Sequence, residues 1–134
     1  MIVKDKYGYH VEVDTGYEEV RERVVAALKE QGFGVLTEID VKATLKKKLD
    51  ADFRKYTILG ACNPPLAHRA LQAEPQIGLL LPCNVVVFEN DAGGSTVAAI
   101  DAEVQLGVVG RPKLVEVARE VNARLREVLK AVDL

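Results

Sequence analysis

Two short stretches of the chain carry residues able to do chemistry, and they resemble each other: Ala61-Cys62-Asn63-Pro64 and Pro82-Cys83-Asn84-Val85. The first closes a run, Tyr56 to Cys62, that reads as a strand, and the second opens the next one. If those strands pair antiparallel, the end of one lies beside the start of the other, and both cysteines sit at the same end of a sheet. Asn63-Pro64-Pro65 has the composition of a helix start, with Asn63 as cap and Pro64 at the first helical position. Free N–H groups at such a start would favour an anion or a thiolate at Cys62. His68 lies one turn further on. The candidate site is therefore Cys62, Asn63, His68, Cys83 and Asn84, and its possible chemistries are a redox dithiol, a sulfur or metal site, or an anion pocket. The plain structural alternative is preferred: cysteine as a small buried hydrophobe, Asn63 as a cap only, and Asn84 serving backbone in a bulge beside Pro82.

Spacing narrows the choices further. The cysteines do not form a C-x-x-C pair, and two cysteines with one histidine fall short of a four-ligand zinc site, so no metal and no cofactor is assigned. No phosphate-cradling glycine loop, H-E-x-x-H or G-x-S-x-G is present. A catalytic Cys-His pair would lack an orienting group, so an enzyme is not the favoured reading. His10 has no partner that the sequence identifies. Asp101 and Glu103 read as neighbours on an exposed strand face, and the lysine run Lys46 to Lys48 as the solvated end of a helix, where cations suit the dipole.

These residues need a scaffold. Tyr7 to Val13 alternates apolar and polar residues, the mark of a half-buried strand. Thr15 followed by Glu18 reads as a capping box for a helix ending near Gln31, with Val20, Val24, Ala27 and Leu28 on its inner face and Gly32 as the left-handed stop. Phe33 to Ile39 is a second strand, and Asp40 caps a short helix from Val41 to Leu49. After Tyr56 to Cys62 comes the short helix from Pro64, then an extended apolar stretch from Ile77 to Leu81. Strands at Asn84 to Glu89 and Ser95 to Glu103 flank a turn, Asn90 to Gly94. Val104 to Gly110 fits no single pattern. Pro112 opens a helix of about twenty residues, with Leu114, Val117, Val121, Leu125, Val128 and Val132 as its inner stripe.

The order implies an α+β fold: a mainly antiparallel sheet with the two longer helices on one face, in a β-α-β4-α order with two short inserted helices. The second sheet face then needs a cover from the short helices, a ligand or a second subunit. The chain's 134 residues fit a single domain spanning 1–134. Twenty valines and no tryptophan suit strands packed by β-branched residues. A formal net charge of -2 argues against a nucleic-acid binder. The N-terminus shows no secretory signal and no run approaches bilayer-spanning length, so a cytoplasmic protein with no membrane association is expected.

Leu59-Gly60-Ala61-Cys62-Asn63-Pro64, then Leu66-Ala67, Ala70-Leu71, Pro75 and Gly78 to Val85, together resemble the domain of unknown function 302 family, as does Glu38-Ile39-Asp40-Val41 with Lys46 after it. The resemblance covers most of the chain. It implies a fold like the TATA-binding-protein class and a homodimer, and it supplies no activity. Cys62, Asn63, Pro64, Pro82, Cys83 and Asn84 carry over as motif positions without a catalytic role. The functional expectation is a small cytoplasmic homodimeric binding or accessory module, taking a small ligand or anion. The alternative is a thiol-dependent redox or sulfur-handling protein using Cys62 and Cys83.

Overall fold

A computed structural model describes residues 1–133. Its sheet has six strands, all paired antiparallel, in the order β1-β2-β6-β5-β4-β3. The strands are β1 (Val3–Lys4), β2 (Gly8–Val13), β3 (Gly34–Asp40), β4 (Tyr56–Cys62), β5 (Cys83–Glu89) and β6 (Ser95–Ile100). The helices are α1 (Tyr17–Glu30), α2 (Val41–Leu49), α3 (Pro64–Ala73), α4 (Ala102–Gly107) and α5 (Pro112–Val132), with a 3-10 turn at Pro75–Leu80. This is the expected α+β arrangement, with β1 and α4 added.

One face of the sheet is dry because alternate strand residues point to it. Val11, Leu59, Val85, Val87 and Val97 are fully buried there, against α1 and α5. Helix α1 buries Val20, Val24, Ala27 and Leu28, and Gly32 supplies the positive φ (82°) that turns the chain out of it. All six residues expected on the inner stripe of α5 are buried. Leu125→Ala should therefore cost about 2–5 kcal/mol by chemical denaturation. Lys130→Ala, which removes an exposed side chain paired with Glu127, should change stability by no more than about 0.5 kcal/mol. Equal effects would mean that the helix face is misassigned.

Three local expectations change. The N-cap of α1 is Gly16 and carries no side-chain hydrogen bond. Thr15 lies one residue too early to cap, and its carbonyl instead accepts the Ser95 hydroxyl (2.8 Å). The stretch Ile77 to Leu81 is not extended. Pro75 opens a 3-10 turn, the Glu74 carboxylate accepts the Gln76 N–H (3.2 Å), and Ile77 drops into the core. The strand expected to reach Glu103 stops at Ile100, because Asp101 turns inward and caps α4 by accepting from Glu103 N (3.0 Å) and Val104 N (3.3 Å). Asp101 is buried, so it does not share an exposed strand face with Glu103.

The second face of the sheet stays open. Helices α3 and α4 pack on α5, on the side already covered, and α2 lies against β3 and β4 without burying any of its own residues. The register sets side chains of the open face in rows: Glu12, Thr96, Phe88 and Tyr56 in one, His10, Ala98, Val86, Ile58 and Ile39 in the next. Together with Tyr7, Asn84 and Ile100, many of them line a groove of about 700 Å³.

Candidate functional site

Antiparallel pairing of β4 with β5 puts Ala61 opposite Cys83, so Cys62 lies one position off that pair at the same end of the sheet, with its side chain on the alternate face. That register puts two cysteines twenty-one positions apart at the same end of the sheet. Both line one cleft of about 290 Å³, bounded by the ends of β4 and β5, by Leu66, Ala67, Ala70 and Leu71 of α3, by Leu106 of α4, and by Val117 and Val121 of α5. Phe33, Leu36, Leu81 and Pro82 complete the apolar wall. None of the lining side chains is charged. Glycine at position 60 keeps this end compact: a Cβ there would fall 2.1 Å from Thr37 Oγ1 and 2.8 Å from Pro82 Cγ.

Both thiols are free. Cys62 is half-buried, whereas Cys83 is only 6% exposed. Burial, reinforced by the neighbouring Cys62, pushes the Cys83 thiol up to about 11. A buried thiolate loses its hydration and finds no cationic side chain in the lining to compensate.

Asn63 acts as the expected cap. Its Oδ1 accepts the Leu66 N–H (3.4 Å), and its Nδ2 donates to the Gln31 carbonyl (3.4 Å), tying the start of α3 to the end of α1. The anion reading of this helix start loses its basis at the same point. Pro64 and Pro65 have no N–H to offer, Leu66 N is taken by the Asn63 side chain, and Ala67 N by the Asn63 carbonyl (2.9 Å). The first four backbone positions of α3 thus present no unused donor to an anion or to a Cys62 thiolate.

The other two candidates lie elsewhere. His68 is exposed on α3 and does not line the cleft. Asn84 pairs in register with Gly60, is exposed, and lines the groove of the open sheet face. It serves no bulge: the register shift falls in β3, between Val35 and Thr37. The structure therefore brings Cys62, Asn63 and Cys83 together and leaves His68 and Asn84 outside.

Sequence reasoning missed the polar cluster behind this cleft. Asn122, buried in α5, donates from Nδ2 to Asp101 Oδ1 (2.8 Å) and Glu103 Oε2 (3.0 Å), while its Oδ1 accepts Ala102 N–H (2.7 Å). The available signal was an asparagine next to Val121 on the apolar side of a helix, a position that demands polar partners. The cluster fixes α4, and α4 carries Leu106 into the cleft wall.

Among the described residues, no group of three or more His, Cys, Asp or Glu side chains is placed to hold a metal ion, and no helix is long and apolar enough to cross a membrane. The protein-family model described as domain of unknown function DUF302 matches residues 9–132. No curated protein matches the chain. Among solved structures, the crystal structure of an uncharacterized conserved DUF302 protein from Bacillus stearothermophilus is 34% identical, with a TM-score of 0.87 over 95% of this chain and 98% of that one.

Proposed function

Because the chain belongs to the family of domain of unknown function DUF302, whose name assigns no activity, we propose from the geometry that it is a binding module for a small, uncharged, largely apolar ligand. The observation that carries this reading is the cleft at the Cys62–Cys83 end of the sheet, about 290 Å³ in volume and without a charged lining residue. That volume lies near the lower end of ligand pockets. An anion would enter with neither a cation nor a free helix donor to meet it. The thiol-redox alternative is the weaker one, because Cys83 is buried and protonated at neutral pH. We also propose a cytoplasmic location, a reducing compartment that two free thiols would suit.

A neutral fluorescent arylamine such as N-phenyl-1-naphthylamine should bind the native protein and brighten. Ala67→Phe, which fills the cleft from the half-buried flank of α3, should weaken binding at least ~10-fold, or ~1.4 kcal/mol. An anionic dye of similar size should bind less well. Equal binding of both dyes, or no effect of Ala67→Phe, would remove the reading.

We also propose that the open face of the sheet is covered by a second copy. The support is its central, half-buried Val86, Ala98, Ile100 and Phe88, apolar side chains on a face that neither of the longer helices covers. The segment after β6 adds little to this surface: Leu106 is buried within its own chain and Val109 packs against the core, leaving Val108 exposed. Light scattering at micromolar concentration should give twice the 14.7 kDa chain mass. Val86→Asp should return the monomer, and a wild-type monomer would rule this interface out.

A further inference from the structure

Resting on the dimer reading above, we infer that docking of the second copy takes up a proton at His10 of each chain, so that acid tightens the dimer. The chain has two histidines; His68 is exposed on α3, and His10 lies half-buried in the groove of the open face. The two-residue strand β1 pairs with β2 so that Val3 lies opposite His10, and the Asp5 N–H donates to the Gly8 carbonyl (2.7 Å), closing the turn between the strands. That turn folds Asp5 back onto His10: its Oδ2 lies 2.5 Å from His10 Nδ1. A carboxylate can only accept, so Nδ1 carries the hydrogen and Nε2 is the nitrogen left to take up a proton.

The groups around His10 set the direction of the effect. Glu12 follows on the same face of β2, and the turn contributes Asp5 and Tyr7. Lys4 of β1 pairs in register with Tyr9 on the alternate face, and its ammonium reaches Asp101 (3.9 Å). Lys6 does not line the groove. On β6, Ala98 lies opposite His10 with Thr96 and Ile100 to either side, and none of these titrates. Among the described residues, the groove is thus lined by the carboxylates Asp5 and Glu12 and by no Lys or Arg.

With His10 neutral, each face brings two carboxylates and no cation to the interface. A two-fold axis sets that face against its own copy, so like charges meet, and Asp5 gives up water without a cationic partner. With His10 protonated, Asp5 enters the interface as half of a hydrogen-bonded ion pair, and each face carries one negative charge fewer. The dimer therefore holds the His10 proton more tightly than the monomer does, and by linkage the proton favours the dimer.

The test is sedimentation equilibrium of the full-length chain at about pH 8 and about pH 6, at constant salt. The dimer dissociation constant should fall at least ~10-fold at the lower pH. His10→Gln should keep the dimer and lose the response, and His68→Gln should respond as the wild type does. Both histidines add the same charge to the molecule, so a response to net charge alone would fall equally on the two variants and would overturn the proposal. Asp5→Asn should dimerise more tightly than the wild type at the higher pH and lose the tightening in acid, because its side chain no longer needs a cation. Circular dichroism checks the fold of each variant; if His10→Gln does not fold, Asp5→Asn, in the exposed turn, decides. A wild-type dimer of equal strength at both pH values, or one that loosens in acid, would overturn the proposal and leave the dimer reading standing. A monomer at both would overturn the two together.

Discussion

Asn122→Leu is expected to cost about 3–5 kcal/mol, a large share of the roughly 5–15 kcal/mol by which a domain is stable. Leucine matches asparagine closely in size, so the loss would come from hydrogen bonding and not from a cavity. Three bonds vanish at once: Ala102 N–H loses its acceptor, and Asp101 and Glu103 lose the amide that donates to both. Asp101 is 2% exposed, and its remaining partners are the two N–H groups at the start of α4 and a distant Lys4 ammonium at 3.9 Å. A buried carboxylate stripped of its strongest donor is the expensive residue of the change. Arg119→Ala is the control. It removes an exposed partner of Glu103 at 3.6 Å and should shift stability by at most about 0.5 kcal/mol. Urea denaturation of both variants measures the contrast. Similar midpoints would show that the buried cluster adds nothing beyond a surface ion pair. Because α4 supplies Leu106 to the cleft wall, a destabilised Asn122→Leu protein should also bind the arylamine probe more weakly.

What the sequence made legible was whatever local periodicity and local capping decide. Val20, Val24, Ala27 and Leu28 recur at helical spacing and are all buried. Asp40 and Asn63 cap the helices they were expected to cap, because each needs only its own backbone three residues on. That Cys62 and Cys83 share one end of the sheet could be read because adjacent antiparallel strands bring an end beside a start; that Ala61 and not Cys62 faces Cys83 is set by a register the sequence does not show. Apart from the 3-10 turn that Pro75 and Glu74 set locally, the failures in the scaffold share one cause, a partner far away in the chain. Thr15 looks like a cap until Ser95 takes its carbonyl, eighty residues on. Asp101 looks like a strand residue until Asn122 holds it from α5. Leu106 sits in a stretch that fits no single pattern until α4 forms and turns it inward. For the candidate site, the anion pocket failed for a local reason that was visible all along: two prolines in the first turn remove the donors such a pocket needs.

The two thiols should behave as opposites. In native buffer at neutral pH a thiol reagent should modify Cys62 and spare Cys83. The reagent attacks the thiolate, and a thiol held at about 11 supplies several hundred-fold less of it than a free cysteine near 8.5. Burial then blocks approach to what little there is. Labelling should therefore show one fast equivalent, lost in Cys62→Ser, and a second that appears only in denaturant, lost in Cys83→Ser. The same shift has a consequence for stability. The Cys83 pKa rises from 9.0 to about 11 on folding, so between those values the folded chain holds a proton that the unfolded chain releases. Its contribution is fully present below pH ~9 and disappears as pH climbs through 11. Two pKa units correspond to about 2–3 kcal/mol lost across that window. Cys83→Ala has no proton to lose there and should show a flatter stability curve between pH 9 and 11, whatever its starting stability. Fast native labelling of Cys83, or the same alkaline slope in wild type and Cys83→Ala, would mean that the Cys83 sulfur is open to water and would bring the redox dithiol back as the leading reading of this site.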